Sequence, residues 1–301
     1  MADDKQPVEL SAEDLAYERE REAARLDLLR KAWIARNQIY KDLFGEPSYV
    51  SPASYAPPSA ELDPDWVPQG AVDLEKARES LQKSDDILSV LKNDDDSQHL
   101  AVLAYGPDPF RPYWTYVTAG MSSPWVQSEP GEVSGFGCEL MIKCPTDNKW
   151  APSILRTIAL YVFNHAGTPS PGSRMALNAS VNAADLKKNN QSLLRNLLIW
   201  YADEAPDAWY QLPSGGFGLF IAMGITDREL EYAEKAGKYG TWVMEQLLRR
   251  KGYNQVTDPD RKDMMADADT GLMLVGIRAY AETFAENESA QSEESVDDKG
   301  L

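Results

Sequence analysis

Histidine and cysteine are almost missing from this 301-residue chain, which has two of each. With His99 and His165 as the only imidazoles, a Ser–His–acid or Cys–His site would need one of them beside a nucleophile, and no signature puts it there. His165 ends an apolar helical stretch, where a cation suits the helix dipole, and His99 opens a strand behind an acidic run. Cys138 and Cys144 fall on one expected strand, about 20 Å apart at strand rise, beyond the roughly 7 Å that a disulfide tolerates. Cys-x5-Cys with two scattered histidines also lacks the spacing of a zinc site. The expectation is two reduced core cysteines, no catalytic residue, no metal and no cofactor.

Basic residues are scarce too. Lysine and arginine number 30 against 48 acids, a formal charge of −18 and a pI near 4.6. That balance argues against nucleic acid or an anionic membrane as a ligand; it suits a basic protein partner, and it also serves solubility. Long apolar runs are missing as well. The longest, Gly271 to Ile277, is far too short to span a bilayer. The N-terminus MADDKQPVEL has neither the basic nor the apolar region of a signal peptide. These features make the cytoplasm the expected compartment. At 43% apolar residues the chain is still large enough for a sizeable core.

What is present is a strand pattern centred on residues 109–144. Pro112 to Gly120 is aromatic and β-branched. In 134–143 and just beyond, Phe136, Cys138, Leu140, Ile142 and Cys144 share one face, expected to be almost fully buried. Glu139 and Lys143 lie opposite, on a face expected to be solvated or salt-bridged. Gly135 and Gly137 mark a bulge or a close backbone approach. Further strands are expected at 99–105, 173–181, 193–201 and 216–225, with helices at 152–165, 227–236 and 239–251. Thr226 and Glu229 form a capping box for the second of those helices.

Ahead of this region, residues 11–44 read as a long helix capped by Ser11 and Asp14. Leu26, Leu29, Trp33, Tyr40 and Leu43 form its apolar stripe, which Arg36 interrupts. This helix either packs on its own domain or is an exposed partner-binding element. Gly45 to Gly70 carries Pro47, Pro52, Pro57, Pro58, Pro64 and Pro68, enough to exclude regular structure. A second helix is expected from Val72 to Leu91. Residues 282–301 are acidic, poor in apolar groups and expected to be disordered. Strand pairs interrupted by helices give an α+β class: a mixed β-sheet flanked by helices, with an N-terminal helical extension. The division expected is 1–70 for the helix and connector, 71–265 for the main domain and 266–301 for the C-terminal segment.

Motifs for chemistry are weak. Gly215, Gly216 and Gly218 precede a strand, whereas phosphate loops follow one and open a helix. The acids Asp258, Asp260, Asp263, Asp267 and Asp269 do not fit an EF-hand, which needs a glycine where Leu272 stands. No nucleophile, base and orienter can be named together.

The runs RPYWTYVTAGMS and SGFGCELMIK, then the apolar helix ending ALYVFNHAG, resemble the Suppressor-of-fused domain, especially its bacterial members. LPSGGFGLFIAMGITDRELEYAEKAG and TDPDRKDM are similar to that family's later passage and its ending. The resemblance covers roughly residues 95 to 265 and implies the Suppressor-of-fused-like fold. It also implies a protein-binding module: well-known members sequester a transcription factor, gripping a peptide that adds a strand in a cleft, and bacterial relatives act as immunity proteins against toxin domains. By this resemblance Tyr116 matches an aromatic lining the peptide cleft. The family's acidic cleft residues would fall in SPWVQSEPGEV, which does not match their pattern.

The expected function is therefore a non-enzymatic immunity protein that binds a basic toxin domain. A cytoplasmic adaptor with a non-toxin partner, or a hydrolase built on carboxylates, is the alternative. Candidate contacts are Tyr113, Tyr116, Trp125 and Trp150, since aromatic anchors usually dominate affinity, although each also fits a core position.

Overall fold

Both faces of the central strands are covered by helices, and that layering governs everything around the site. The structure is a computed structural model and describes residues 11–51, 100–125, 127–164, 167–177, 179–183 and 191–281. Its strands are β1 Tyr49–Ser51, β2 Ala101–Tyr105, β3 Trp114–Ala119, β4 Val133–Cys144, β5 Arg174–Ala176, β6 Asn196–Tyr201, β7 Tyr210–Leu212 and β8 Gly215–Ile225. The helices are α1 Ala12–Phe44, α2 Trp150–Asn164, α3 Asp227–Lys235, α4 Gly240–Arg250 and α5, over 270–281. One mixed sheet of eight strands runs β1-β2-β3-β4-β8-β6-β5, with β7 added to β8. Among the described residues β4 and β8 make its one parallel strand pair, at the centre; the other neighbours are antiparallel.

Alternation along the strands sorts the apolar side chains into two cores. Cys138, Leu140, Ile142 and Cys144 of β4 pack with Tyr116 and Phe220 against Trp150, Leu155, Ile158 and Val162 of α2. Val117, Met141, Leu219, Ile221 and Met223 point the other way, onto Trp33, Tyr40 and Phe44 of α1, Val243, Met244 and Leu247 of α4, and Leu274 and Ile277 of α5. The mixed sheet flanked by helices is thus the architecture expected.

The sorting of β4 into two faces holds, and of the two states expected for the second face it is the salt-bridged one that forms, with Glu139 facing Arg36 and Lys143 facing Glu204 out of solvent. Glu139 and Lys143 are 0% and 1% exposed. Alternation separates faces without telling what covers them, and here α1 and α4 cover the polar one. Phe136 is corrected the other way: it is only partly buried, at the rim of the α2 core. Gly135 and Gly137 do sit at a close approach, with φ of 56° and 70°, next to the register shift between Val133 and Cys138. A Cβ on Gly135 would lie 2.6 Å from the Met121 carbonyl oxygen.

In α1 the capping box of Ser11 and Asp14 is formed. Leu29, Trp33, Arg36, Tyr40 and Phe44 are its buried row, so Arg36 continues the stripe that it was expected to interrupt. The charged first half of α1 is exposed as far as Ala24 where described, and Arg25 is buried. The Thr226–Glu229 capping box of α3 is also formed.

Four further differences have local causes. β1 occupies the proline-free residues between Pro47 and Pro52, as an edge strand can. β7 is three residues long and too short to show a period. β5 covers only 174–176 of the expected 173–181, because the pairing turns irregular beyond Ala176. Leu177 N and Val181 N still donate to the Arg195 and Leu194 carbonyls, at 2.9 and 2.8 Å, but side chains add to it, Ser180 Oγ donating to the Ser192 carbonyl at 2.8 Å and Asn182 Oδ1 accepting from Ser192 N at 2.9 Å. The core expected to end near 265 continues into α5 through Leu274, Ile277 and Ala281. The expected helix 72–91, most of the proline-rich connector, both histidines and the tail from 282 lie outside the described residues.

Candidate functional site

The connection from β3 to β4, residues 120–132, carries the candidate contact Trp125 and the stretch where the family resemblance would put acidic cleft residues. Its shape is set from beneath by Glu139. That carboxylate accepts from Gly120 N and Ser122 N, both at 2.9 Å, and from Thr118 Oγ1 and Ser122 Oγ, both at 2.6 Å. A buried carboxylate needs such partners, and backbone N–H groups supply them without side-chain entropy. Phe136 N donates to the Met121 carbonyl at 2.8 Å and Ser134 Oγ to that of Ser122 at 2.6 Å, so the loop is fixed at both ends.

Helix α1 fastens the same loop from outside. Arg36 donates from one terminal nitrogen to Ser123 Oγ at 2.8 Å and approaches Glu139 at 3.4 Å. Arg25 donates to the Trp125 carbonyl at 3.0 Å, and the Trp125 indole N–H donates to the Gly120 carbonyl at 2.8 Å. Trp125 is therefore held half-buried between the loop and α1.

A second polar cluster lies further along β4. Lys143 Nζ meets both oxygens of Glu204, at 2.9 and 3.0 Å, and the Gln255 side-chain oxygen at 3.3 Å. It also sits 5.0 Å from the centre of the Tyr113 ring, a cation–π contact. Burial pushes the lysine below its ordinary range while Glu204 pulls it back up. Tyr113 donates its hydroxyl to Glu204, and burial together with that bond pushes it well above the usual tyrosine range. Both thiols are raised, chiefly by burial. Neither takes part in a disulfide.

The four aromatic candidates do not converge. Tyr116 is fully buried, donates to Asp147 Oδ1 at 2.7 Å and accepts from Asn148 N at 2.9 Å. Trp150, the first residue of α2, is also in that core, 2% exposed. Tyr113 and Trp125 belong to the opposite side, with Lys143 and α1, and keep part of their surface in solvent. Sequence reasoning missed the Arg36–Glu139 contact. Its signal was present: a cation inside an apolar helix stripe and an acid inside a strand each need a buried counterpart. Among the described residues no group of three or more His, Cys, Asp or Glu side chains is placed to hold a metal ion, and no helix is long and apolar enough to cross a membrane. The carboxylates gathered here are committed to hydrogen bonds and ion pairs, an arrangement that positions a surface.

The family model described as Suppressor of fused protein (SUFU) matches residues 96–262. No curated protein matches the chain. Similar solved structures include one described as the Sufu-Fu complex, at 21% identity over 59% of this chain and 82% of that one, with a TM-score of 0.46. Drosophila Suppressor of Fused is similar at 21% identity over 59% of this chain and 45% of that one, with a TM-score of 0.47. A Suppressor of fused homologue from Neisseria gonorrhoeae FA 1090 is similar at 16% identity over 56% of this chain and 80% of that one, with a TM-score of 0.41. The chain thus spans less than half the length of the Drosophila protein.

Proposed function

This chain belongs to the Suppressor of fused family, and on that premise we propose that it is a non-enzymatic, cytoplasmic protein-binding module: a bacterial immunity protein that holds and neutralises a basic toxin domain. The observation that carries this reading is the charge. An excess of 48 acids over 30 bases gives a field that steers a cationic partner into contact and repels acidic ones. Tight binding needs a few fixed anchors as well. Tyr113 and Trp125 serve as contacts, while Tyr116 and Trp150 act from the core behind the strands. The binding domain is taken as 71–265, with the 1–70 segment and the 266–301 segment as additions to it.

Fixed loops suit this role better than chemistry does. A partner that meets a preorganised loop loses less freedom on binding than one that must order it. The test is to co-express the chain with the toxin domain encoded beside its gene and measure association at rising salt. A stable complex that abolishes toxicity, with an association rate falling steeply between low and near-molar salt, is the expected result. Absence of a complex, or an association rate indifferent to salt, overturns it. A stable complex with a non-toxic neighbour moves the reading to an adaptor.

A further inference from the structure

One large aromatic side chain stands out from the surface in a way that neither core packing nor the aromatic candidates above account for. Trp209, in the turn between β6 and β7, is 47% exposed, and beside it Val133, at the start of β4, is 41% exposed. The indole lies on bare backbone. A Cβ on Gly216 would fall 1.7 Å from its Nε1, and a Cβ on Gly137 would come within 3.7 Å of its Cη2 and 2.6 Å of Val133 Cγ1. Two strands, β4 and β8, thus omit side chains where the ring rests.

The ring is also locked in place. Tyr210 and Gln211, the next residues, are zipped to Phe217 and Gly216 in the β7–β8 pair, and Tyr210 is buried against Phe217 with ring centres 5.7 Å apart. The loop beside it is stitched to the same end of the sheet. Gly131 N donates to the Ser214 carbonyl and Gly216 N to that of Glu132, both at 3.0 Å. A half-exposed tryptophan held on a rigid floor loses little entropy when something covers it.

The charges around it have one sign. Residues 112–142 and 201–227, which include the strands and connections around Trp209, contain no lysine or arginine. Glu129, Glu132 and Asp207 are exposed there. An exposed aromatic face rimmed by carboxylates that form no ion pair among the described residues fits a guanidinium, which stacks on the ring and donates to the rim. A second copy of this chain would bring acid against acid.

We propose that Trp209, with Val133 beneath the rim of Glu129, Glu132 and Asp207, is an anchor site for an arginine-bearing segment of a basic protein partner. This site rests on the protein-binding reading given above and names the surface that reading left open. It differs from the Tyr113 and Trp125 candidates in that its ring rests where Gly216 and Gly137 leave the strands without side chains.

Two arms test the site. In the first, the blocked peptide Gly-Arg-Leu-Arg-Gly and its Glu-for-Arg counterpart are titrated into the full chain while the tryptophan indole N–H signals are followed by NMR. The arginine peptide is expected to shift the Trp209 signal and the glutamate peptide to leave it. Trp209→Ala should weaken the arginine peptide about tenfold, as loss of one stacked cation does. Gly216→Ala, which keeps the indole but displaces it, should weaken it comparably, and thermal melts of both variants establish that they are folded. Shifts spread over the acidic surface, or unchanged affinity in Trp209→Ala, overturn the site. In the second arm the neighbouring toxin domain replaces the peptide. A complex that forms with wild type and equally with Trp209→Ala overturns the site and leaves the protein-binding reading standing. A wild-type chain that binds the peptide at Trp209 but not the toxin domain keeps the site and overturns the immunity role.

Discussion

Arg261 grips Glu229 with two nitrogens, at 2.7 and 2.5 Å, whereas Arg36 approaches Glu139 with one, at 3.4 Å. Both pairs are sealed from solvent. In the first, arginine supplies half of the carboxylate's bonds; Thr226 N and Met264 N supply the rest, at 2.9 and 2.8 Å. Arg261 in turn donates to the carbonyls of Gly224 and Lys262. In the second, the β3–β4 unit alone satisfies Glu139 with the backbone N–H groups of Gly120 and Ser122 and the hydroxyls of Thr118 and Ser122. Arg36 leaves its Nε and one terminal nitrogen without a hydrogen-bond partner. Its compensation is the Trp33 ring, 4.6 Å from the guanidinium carbon.

The difference separates a clamp from a cover. Glu229 needs its arginine, because the bidentate pair closes the start of α3 onto the segment after Arg261. Glu139 does not need Arg36, so the β3–β4 connection keeps its shape by its own bonds and α1 lies over it. Removing one partner of a buried pair is costly when the other is stranded, and it costs less where the remaining charge keeps other donors, as Glu139 keeps four.

The sharpest break of this comparison is Arg261→Met, which strands Glu229 and should cost about 3–5 kcal/mol in urea unfolding. A loss below 1 kcal/mol would show that the clamp holds nothing. Next comes Glu139→Gln, which sets an amide among four donors and should cost about 1–3 kcal/mol. It should also change Trp125 fluorescence, because the loop that carries Trp125 loses its anchor. Arg261→Met should leave that fluorescence unchanged at denaturant concentrations where it is folded.

Lys143 is the intermediate case, with a bidentate contact to Glu204 at the rim of the same buried face. Its folded pKa is lowered, so between that value and the ordinary 10.5 the unfolded chain binds more protons and stability should rise with pH. Lys143→Met should lack that rise. The raised Tyr113 hydroxyl works in the opposite sense above 10, where only the unfolded tyrosine has ionised, so the variant should lose stability monotonically there. Unfolding midpoints of both proteins from neutral pH to 10.5 decide it, and equal pH slopes would remove the buried lysine from the account. The smallest effect should be that of Arg36→Met, within about 1 kcal/mol of wild type. A cost as large as that of Arg261→Met would make the two pairs equivalent and α1 part of the cradle.

The sequence was legible where one local rule decides the outcome. Ser11 with Asp14 and Thr226 with Glu229 start helices, since a capping box lies within one turn. Period two sorted Leu140 and Ile142 from Glu139 and Lys143, and glycine at 135 and 137 announced the tight approach to the loop. It was not legible where the outcome depends on what lands on a face. The aromatic candidates could not be told apart from core residues, because what separates buried Tyr116 and Trp150 from half-buried Tyr113 and Trp125 is how distant elements pack over them. β1 and β7 are too short to carry a period.

By itself, then, the amino-acid order set the acidic charge, the strands, the helix starts and the two sides of β4, because each follows from composition or from neighbours within a few residues. Only the tertiary structure placed α1 over the polar side of β4 and so put Arg36 beside Glu139, residues 103 apart in the chain. It also left Trp209 in solvent on a floor of glycines that two separate strands provide. Burial and pairing across such distances are set by the packing of whole elements, which the local pattern of any one of them does not contain.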